Sequence, residues 1–137
     1  MIILDTNVIS ALMKPAEHEA VVVWFDSLAE TRLWTTAITV MEVRYGLLRM
    51  QNGKRRKQME STFDNVLSAN LQDVLPFDLR SAEVTATILA QAHANGRNLK
   101  IPDCQIAGIA ITRNATLATR NIRDFEGLGL KLVNPWD

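Results

Sequence analysis

Short apolar segments alternate with longer segments of helical periodicity along the chain, and this alternation is the feature that most restricts the fold. The short segments, which we predict to be strands, lie at residues 2–4, 32–35, 73–75, 116–118 and 131–133. The predicted helices lie near residues 8–13, 18–29, 39–50, 54–69, 79–95 and 102–113. Strand–helix alternation predicts an α/β fold with a central, mainly parallel sheet of about five strands. In such sheets, ligands bind beyond the carboxyl ends of the strands.

The length and the residue types favour one compact domain in a reducing compartment. A chain of 137 residues can bury a core without disulfides or a structural metal, so we expect residues 1–137 to form a single domain. No apolar run approaches the roughly 20 residues that cross a bilayer, and the N-terminus has no basic region or cleavage site of a signal peptide. The single Cys104 has no disulfide partner. We therefore predict a cytoplasmic protein without a membrane partner.

The charge balance argues against a protein with an extended basic surface that binds many phosphate groups. The chain has 15 basic and 15 acidic residues and a pI near 6.7, whereas such domains usually have a pI above about 9. An acidic metal centre that offsets a basic patch would still allow a nuclease. The one dense basic run, GKRRK at residues 53–57, is expected to be a solvated loop and helix start, with contact to phosphate or a partner as the alternative.

Asp5 directly follows the first predicted strand, in the sequence MIILDTNVIS. Because the carboxyl ends of parallel strands face the ligand-binding side of the sheet, this carboxylate can reach a cleft while the strand itself stays buried.

Glu42 is a second acid in an apolar setting, within TVMEVRYGLL. Two interpretations remain open from the residues alone. Thr39 and Glu42 match a capping box, in which the Glu side chain bonds to the backbone N–H of the cap residue. Alternatively, Glu42 is a functional carboxylate beside the buried face of a helix that carries Val43 and Leu47.

Asp103 lies in the third segment, IPDCQIAGIAITRN. Pro102 and an acid suit a first helical turn, since the acid complements the helix dipole. Apolar residues follow Asp103 at i+3, i+4, i+7 and i+8, which is the repeat of a buried stripe. Asp103 is therefore predicted to head the inward face of its helix, where a lone acid is unfavourable unless it is paired or binds a metal.

Polar residues also follow the fourth predicted strand, in TLATRNIRDFEGLGLKLVNPW, where we expect a loop. Asp124 is a candidate fourth acid, but Arg120 and Arg123 are close enough in sequence to pair with it instead. Asn121 is a candidate oxygen ligand, although such a residue is more often a turn former.

These residue types favour a site for a hard cation over other chemistry. His18 and His93 are expected to have solvated or packing roles, and Cys104 has no evident base. The chain contains no phosphate-binding G-x-x-x-x-G-K-[ST] loop and no cluster of zinc ligands. Carboxylates suit Mg²⁺ or Mn²⁺, which can activate water for attack on phosphorus. Phosphodiester hydrolysis is the reaction class that follows.

Four blocks in order along the chain resemble the signature blocks of PIN domains: ILDTNVIS, TVMEVRYGL, IPDCQIAGIA and TLATRNIRDFEGLGLKLVNPW. More narrowly, they resemble VapC-type toxins of bacterial toxin–antitoxin pairs, including the FitB group. The resemblance implies a three-layer α/β/α fold and an RNA endonuclease with a Mg²⁺ or Mn²⁺ site at Asp5, Glu42 and Asp103. It also implies 5′-phosphate and 3′-hydroxyl products, a cognate antitoxin that binds operator DNA, and homodimers that join larger complexes.

One departure from the family pattern leaves two questions open. Asn121 stands where the fourth family acid is usual, so either Asn121 is a neutral ligand or Asp124 replaces the acid, which weakens the case for a second metal ion. We expect Asp5 and Asp103 to bind the metal directly and Glu42 to complete the site or position the attacking water. Thr6 could orient Asp5 or bind phosphate through its hydroxyl. The departure also motivates an alternative function, a catalytically weak PIN module that helps its antitoxin bind DNA. A phosphoryl-transfer enzyme with Asp5 as nucleophile is disfavoured, since such enzymes carry a second Asp where this chain has Asn7.

Overall fold

Five strands and seven α-helices form the part of the chain that the computed structural model describes, residues 1–28 and 31–137. The strands are β1 (Ile2–Leu4), β2 (Leu33–Thr36), β3 (Asp73–Leu75), β4 (Thr116–Ala118) and β5 (Lys131–Val133). The helices are α1 (Thr6–Leu12), α2 (Glu19–Asp26), α3 (Ala37–Arg49), α4 (Lys54–Asn65), α5 (Leu79–Ala94), α6 (Ile101–Thr112) and α7 (Ile122–Phe125). All five predicted strands are present. The predicted end of the second helix, at residue 29, lies outside the described residues.

The strands form one sheet in the order β3-β2-β1-β4-β5, and every neighbouring pair is parallel. The predicted α/β fold with a parallel sheet is confirmed. Successive strands are added on one side of β1 up to β3, and the chain then returns to the other side of β1 to form β4 and β5. A sheet of this kind has a crevice where the strand order reverses, here at the carboxyl ends of β1 and β4.

Helices cover both faces of the sheet, because successive strand residues point to opposite faces. Ile3 packs in a core with residues of α5 and α6, among them Ile88 and Ile106. Leu4 packs in a second core with residues of α1 to α4, among them Val8 and Phe63. The predicted three-layer α/β/α arrangement is therefore confirmed.

Helices α5 and α6 approach each other closely at Gly108. A Cβ atom at this position would lie 2.1 Å from Thr85 Oγ1 and 2.9 Å from the carbonyl oxygen of Ser81, both on α5. A side chain on residue 108 would push the two helices apart. The glycine thus sets the separation of the helix that carries Asp103 from its neighbour.

Three local features differ from the sequence predictions. The predicted helix over residues 54–69 ends at Asn65 and is followed by a single π-helical turn, Val66–Asn70. A short helix, α7, replaces part of the loop predicted after β4, and a 3₁₀ turn spans Pro15–Glu17. The basic run is an exposed helix start, as predicted, with Arg56 paired to Glu60. Within the described ranges, no helix is both long enough and apolar enough to cross a membrane.

Candidate active site

A polar pocket of about 250 Å³ opens at the carboxyl ends of β1 and β4, where the strand order reverses. It contains all four acids that the sequence singled out, although they are spread over 120 positions of the chain. The lining residues are Asp5, Thr6, Asn7, Glu42, Lys100, Asp103, Asn121 and Asp124.

Asp5 is nearly completely buried, with 3% of its surface exposed. It precedes α1 as the cap residue, and its Oδ1 accepts a hydrogen bond from the backbone N–H of Thr6 at 2.8 Å. Oδ2 accepts hydrogen bonds from Thr119 Oγ1 at 2.7 Å and from Asn7 Nδ2 at 3.3 Å. Burial raises the pKa of this carboxyl, the hydrogen bonds from Thr119 and Thr6 oppose the rise, and the charge of Glu42 adds to it. Since each carboxylate oxygen can accept two bonds, Oδ1 keeps a lone pair for one further partner.

Thr119 connects Asp5 to the segment that follows β4. The register of β1 and β4 pairs Leu4 with Ala118, and the next residues in each strand are Asp5 and Thr119. The Thr119 hydroxyl donates to Asp5 and accepts from Asn7 Nδ2 at 3.3 Å and from the backbone N–H of Asn121 at 3.0 Å. All three bonding positions of the hydroxyl are thus used, and Thr119 is completely buried.

Glu42 is held by a threonine hydroxyl and takes no part in a capping box. Helix α3 begins two residues before Thr39, and its cap is Thr36, whose Oγ1 accepts from the backbone N–H of Thr39 at 3.1 Å. The capping interpretation of Thr39 and Glu42 is therefore wrong. Thr6 Oγ1 donates to Glu42 Oε1 at 2.7 Å, which links α1 to α3 beside the pocket.

Asp103 lies in the first turn of α6, immediately after Pro102, and is half-buried. Of the predicted stripe, the residues at i+3, i+4 and i+7 are completely buried and Ile111 at i+8 is partly buried. The helix is buried more widely than the stripe predicts, since Cys104 and Ile109 are also completely buried. Burial raises the pKa of the Asp103 carboxyl to about 6, with further increases from the charges of Asp5, Glu42 and Asp124. The charge of Lys100 acts in the opposite direction. Within the described residues, the carboxylate accepts no hydrogen bond and forms no ion pair.

Asn121 and Asp124 lie together on the open side of the pocket, and both are exposed. Asn121 precedes α7, and its carbonyl oxygen accepts from the backbone N–H of Asp124 at 3.0 Å. Of the two interpretations of Asp124, the arginine-paired one is not what the structure shows, since neither Arg120 nor Arg123 forms an ion pair with it in the described part of the chain. The guanidinium of Arg120 instead lies 4.9 Å from the ring centre of Trp136.

Arg97 holds the backbone of this segment in place from the connection between α5 and α6. Its Nη2 donates to the carbonyl oxygens of Arg123 at 3.0 Å and Asp124 at 3.2 Å. Its Nη1 donates to the carbonyl oxygen of Glu126 at 2.6 Å. Arg97 therefore supports the position of Asp124 through the main chain.

Sequence reasoning missed Asn7, Lys100 and Thr119 as parts of the site. Asn7 and Lys100 line the pocket, and Thr119 holds Asp5. Thr119 directly follows β4, and Asn7 lies three residues after the end of β1; this closeness to a strand's carboxyl end was the available signal. A polar residue at a strand end is common, however, and the register that places Thr119 beside Asp5 joins positions 114 apart in the chain.

The donor set fits a hard divalent cation. The acids crowd one pocket, burial and the neighbouring charges raise the pKa of Asp103, and the Asp103 carboxylate has no protein partner among the described residues. Those residues contain no group of three or more ligand side chains already in place for one ion. Two carboxylates with water suffice for Mg²⁺, however, and one oxygen of Glu42 is already bonded to Thr6.

The fold and this pocket together define a parallel α/β protein with a cluster of carboxylates at the reversal point of its sheet. The PIN domain family matches residues 2–129 of the chain. A VapC ribonuclease, Y4jK of Sinorhizobium fredii, is 41% identical over 138 aligned residues, which cover 100% of this chain and 99% of that protein. Toxin FitB of Neisseria gonorrhoeae is 36% identical, with 99% of each chain covered. In a solved structure of FitAB bound to the IR36 DNA fragment, one chain superposes with a TM-score of 0.89 at 36% identity, covering 100% of this chain and 96% of that one.

This chain belongs to the PIN-domain family, and its full-length similarity to a VapC ribonuclease and to FitB confirms the resemblance seen in the four sequence blocks.

Proposed function

We propose that this protein is an endoribonuclease toxin that hydrolyses RNA phosphodiester bonds and is neutralised by a cognate antitoxin. The main support for this proposal is that four acids line one pocket of a PIN-domain fold. These acids are Asp5, Glu42, Asp103 and Asp124. The ribonuclease activity named for the Sinorhizobium relative and the toxin activity named for FitB support it.

In this proposal, Asp5 and Asp103 hold a Mg²⁺ ion, for which Mn²⁺ can substitute. When bound, the ion supplies charge neutralisation, a lowered pKa of bound water and stabilisation of the departing oxygen. Asp5 would bind through Oδ1, which keeps a free lone pair, and Asp103 through a carboxylate that has no protein partner in the described residues.

The remaining residues orient the reactants. Thr6 holds Glu42 Oε1 through a hydrogen bond. Oε2 is left to accept a hydrogen bond from the attacking water. The water oxygen forms a bond to phosphorus and gives a proton to Glu42 Oε2. The bond from phosphorus to the 3′-oxygen breaks, and the 3′-oxygen takes up a proton from solvent. The products are a 5′-phosphate and a 3′-hydroxyl. Asn121 and Asp124 contact the substrate or water at the open edge of the pocket.

The partner proposals follow from the same relatives. An active ribonuclease must be restrained in the cell that makes it, and the DNA-bound FitAB structure supports a complex in which an antitoxin contacts operator DNA. We further propose that the toxin acts in the cytoplasm as a homodimer that joins larger toxin–antitoxin assemblies.

Expression without an antitoxin tests this function. The parent protein should arrest growth, and Asp5→Asn, which keeps the shape of the side chain, should relieve the arrest while the protein accumulates in folded form. An exposed control variant, Asp26→Asn on α2, should remain toxic. Equal toxicity of the Asp5 variant and the parent would refute the proposal.

A second candidate function rests on Asn121, a neutral residue in a pocket otherwise rich in carboxylates. A catalytically weak PIN module could serve its antitoxin mainly as a partner in DNA binding. Purified protein incubated with a panel of structured RNAs and Mn²⁺ or Mg²⁺ separates the two. Cleavage that is lost both with a chelator and in Asp103→Asn would eliminate this second function.

A further inference from the structure

Three threonine hydroxyls form a row that leads from the protein interior to Glu42. Thr36 Oγ1 lies 3.5 Å from Thr39 Oγ1, Thr39 Oγ1 lies 3.0 Å from Thr6 Oγ1, and Thr6 Oγ1 lies 2.7 Å from Glu42 Oε1. Thr36 and Thr39 are completely buried, and Thr6 is half-buried at the pocket wall. The row therefore joins the buried start of α3 to a carboxylate that lines the site.

The single hydrogen of each hydroxyl determines which residue is the donor in each of these contacts. A hydroxyl has one hydrogen, and Thr6 donates its own to Glu42. The contact between Thr39 and Thr6 must therefore be donated by Thr39, and that between Thr36 and Thr39 by Thr36. Thr39 and Thr6 thus both donate toward the Glu42 carboxylate, whereas the contact from Thr36, at 3.5 Å, is too long to be a strong bond.

The hydroxyl of Thr39 is not needed to begin helix α3. The cap bond runs from the backbone N–H of Thr39 to Thr36 Oγ1, and it uses no atom of the Thr39 side chain. Replacement of the hydroxyl by a methyl group would preserve both the cap and the shape of the residue. The bond to Thr6 can therefore be removed without removing the cap.

We propose that Thr39 is a positioning residue for RNA cleavage, acting through the Thr6 hydroxyl to hold Glu42 in the orientation that receives the attacking water. Without the Thr39 donor, the Thr6 hydroxyl loses the bond that sets its rotamer, and the long Glu42 side chain becomes free to turn. This inference rests on the proposed function, since it assigns Glu42 a role in the reaction. It extends that function by one buried residue that does not line the pocket.

Steady-state cleavage of a fluorogenic oligoribonucleotide in Mn²⁺ tests the proposal with three variants. Thr39→Val should lower kcat by about 10-fold with KM within about twofold of the parent, since supporting residues of this kind contribute roughly 10- to 100-fold. Thr39→Ser keeps the hydroxyl and should restore most of kcat. The matched control, Thr112→Val, removes a half-buried hydroxyl that donates to the carbonyl oxygen of Ile109 in its own helix, at the opposite end of α6 from Asp103, and kcat should not change. A Thr39→Val protein that unfolds like the parent and keeps its kcat would overturn the proposal, as would a loss confined to KM.

A second measurement separates this inference from the proposed function. The carboxyl ¹³C resonance of Glu42, assigned by its loss in Glu42→Gln, should shift in Thr39→Val and stay in place in Thr39→Ser and Thr112→Val. If the parent cleaves no RNA while the resonance shifts as described, the proposed function fails and the positioning of Glu42 stands. An unchanged resonance in Thr39→Val would contradict the positioning role whatever the activity.

Discussion

Replacement of Asp103 by Asn should make the protein more stable while it abolishes cleavage. Burial and the charges of Asp5, Glu42 and Asp124 raise the pKa of the Asp103 carboxyl from its ordinary value of 3.8 to about 6. At neutral pH the folded, metal-free protein therefore holds a negative charge in an unfavourable place. Asparagine has nearly the same shape and no charge, so the variant escapes this repulsion.

The magnitude follows from proton linkage. Between pH 4 and 6, the unfolded chain loses the Asp103 proton before the folded protein does, so the free energy of unfolding falls as the pH rises through this window. The full pKa difference corresponds to about 3 kcal/mol. Solvent screens a half-exposed carboxyl, and the variant also loses a favourable interaction with the α6 dipole of up to about 1 kcal/mol. We therefore expect Asp103→Asn to raise the free energy of unfolding at pH 7 by about 1 kcal/mol.

Urea unfolding in the presence of a chelator measures this effect. The gain should be present at pH 7 and nearly absent at pH 4, where the parent carboxyl is protonated in the folded protein. The control variant Glu83→Gln, at an exposed acid inside α5 and away from the helix ends, should change stability at neither pH. Saturating Mn²⁺ should reverse the order of stability, because it binds the folded parent more tightly than the variant. An Asp103→Asn protein that is less stable than the parent at pH 7, or equally stabilised at pH 4, would refute the reasoning.

Two further predictions concern the supports of the site. Thr119→Val should lower the free energy of unfolding by about 1–3 kcal/mol, because it removes the donor to Asp5 and leaves buried polar groups unpaired, and Thr119→Ser should recover most of the loss. Thermal or urea unfolding measures both, and an unaffected valine variant would contradict the assigned bonds. Gly108→Ala should destabilise the protein, because its methyl group would lie 2.1 Å from a hydroxyl oxygen of α5, whereas Gly46→Ala on α3 meets open space and should stabilise it by about 0.5–1 kcal/mol. Equal effects of the two alanines would contradict the close helix contact.

The sequence predicted the fold well because the signals for it are local. Each strand contains at least two adjacent apolar residues, and the apolar residues of α6 repeat at helical spacing within 12 residues. This repeat correctly placed Asp103 on an inward face. Asp5 was predictable as a pocket residue because parallel strands end on the ligand-binding side of the sheet.

The supports of the acids were less predictable because they depend on contacts between distant segments. Thr6 and Glu42 are 36 positions apart, and Asp5 and Thr119 are 114 apart. The capping interpretation of Thr39 failed because Thr36, three residues earlier, satisfies the helix start. Thr35, Thr36 and Thr39 are all suitable cap residues by type, and only the packed structure shows which of them caps α3.

Cleavage of RNA by the purified, metal-depleted protein tests the central claim most directly. We predict no cleavage with a chelator present, cleavage when Mg²⁺ or Mn²⁺ is restored, and products with a 5′-phosphate and a 3′-hydroxyl. Asp5→Asn and Asp103→Asn should stay inactive in the same titration, although both proteins are folded. Cleavage that continues in the chelator, or that survives in either variant, would contradict the assignment of the carboxylate pocket as the metal-dependent active site.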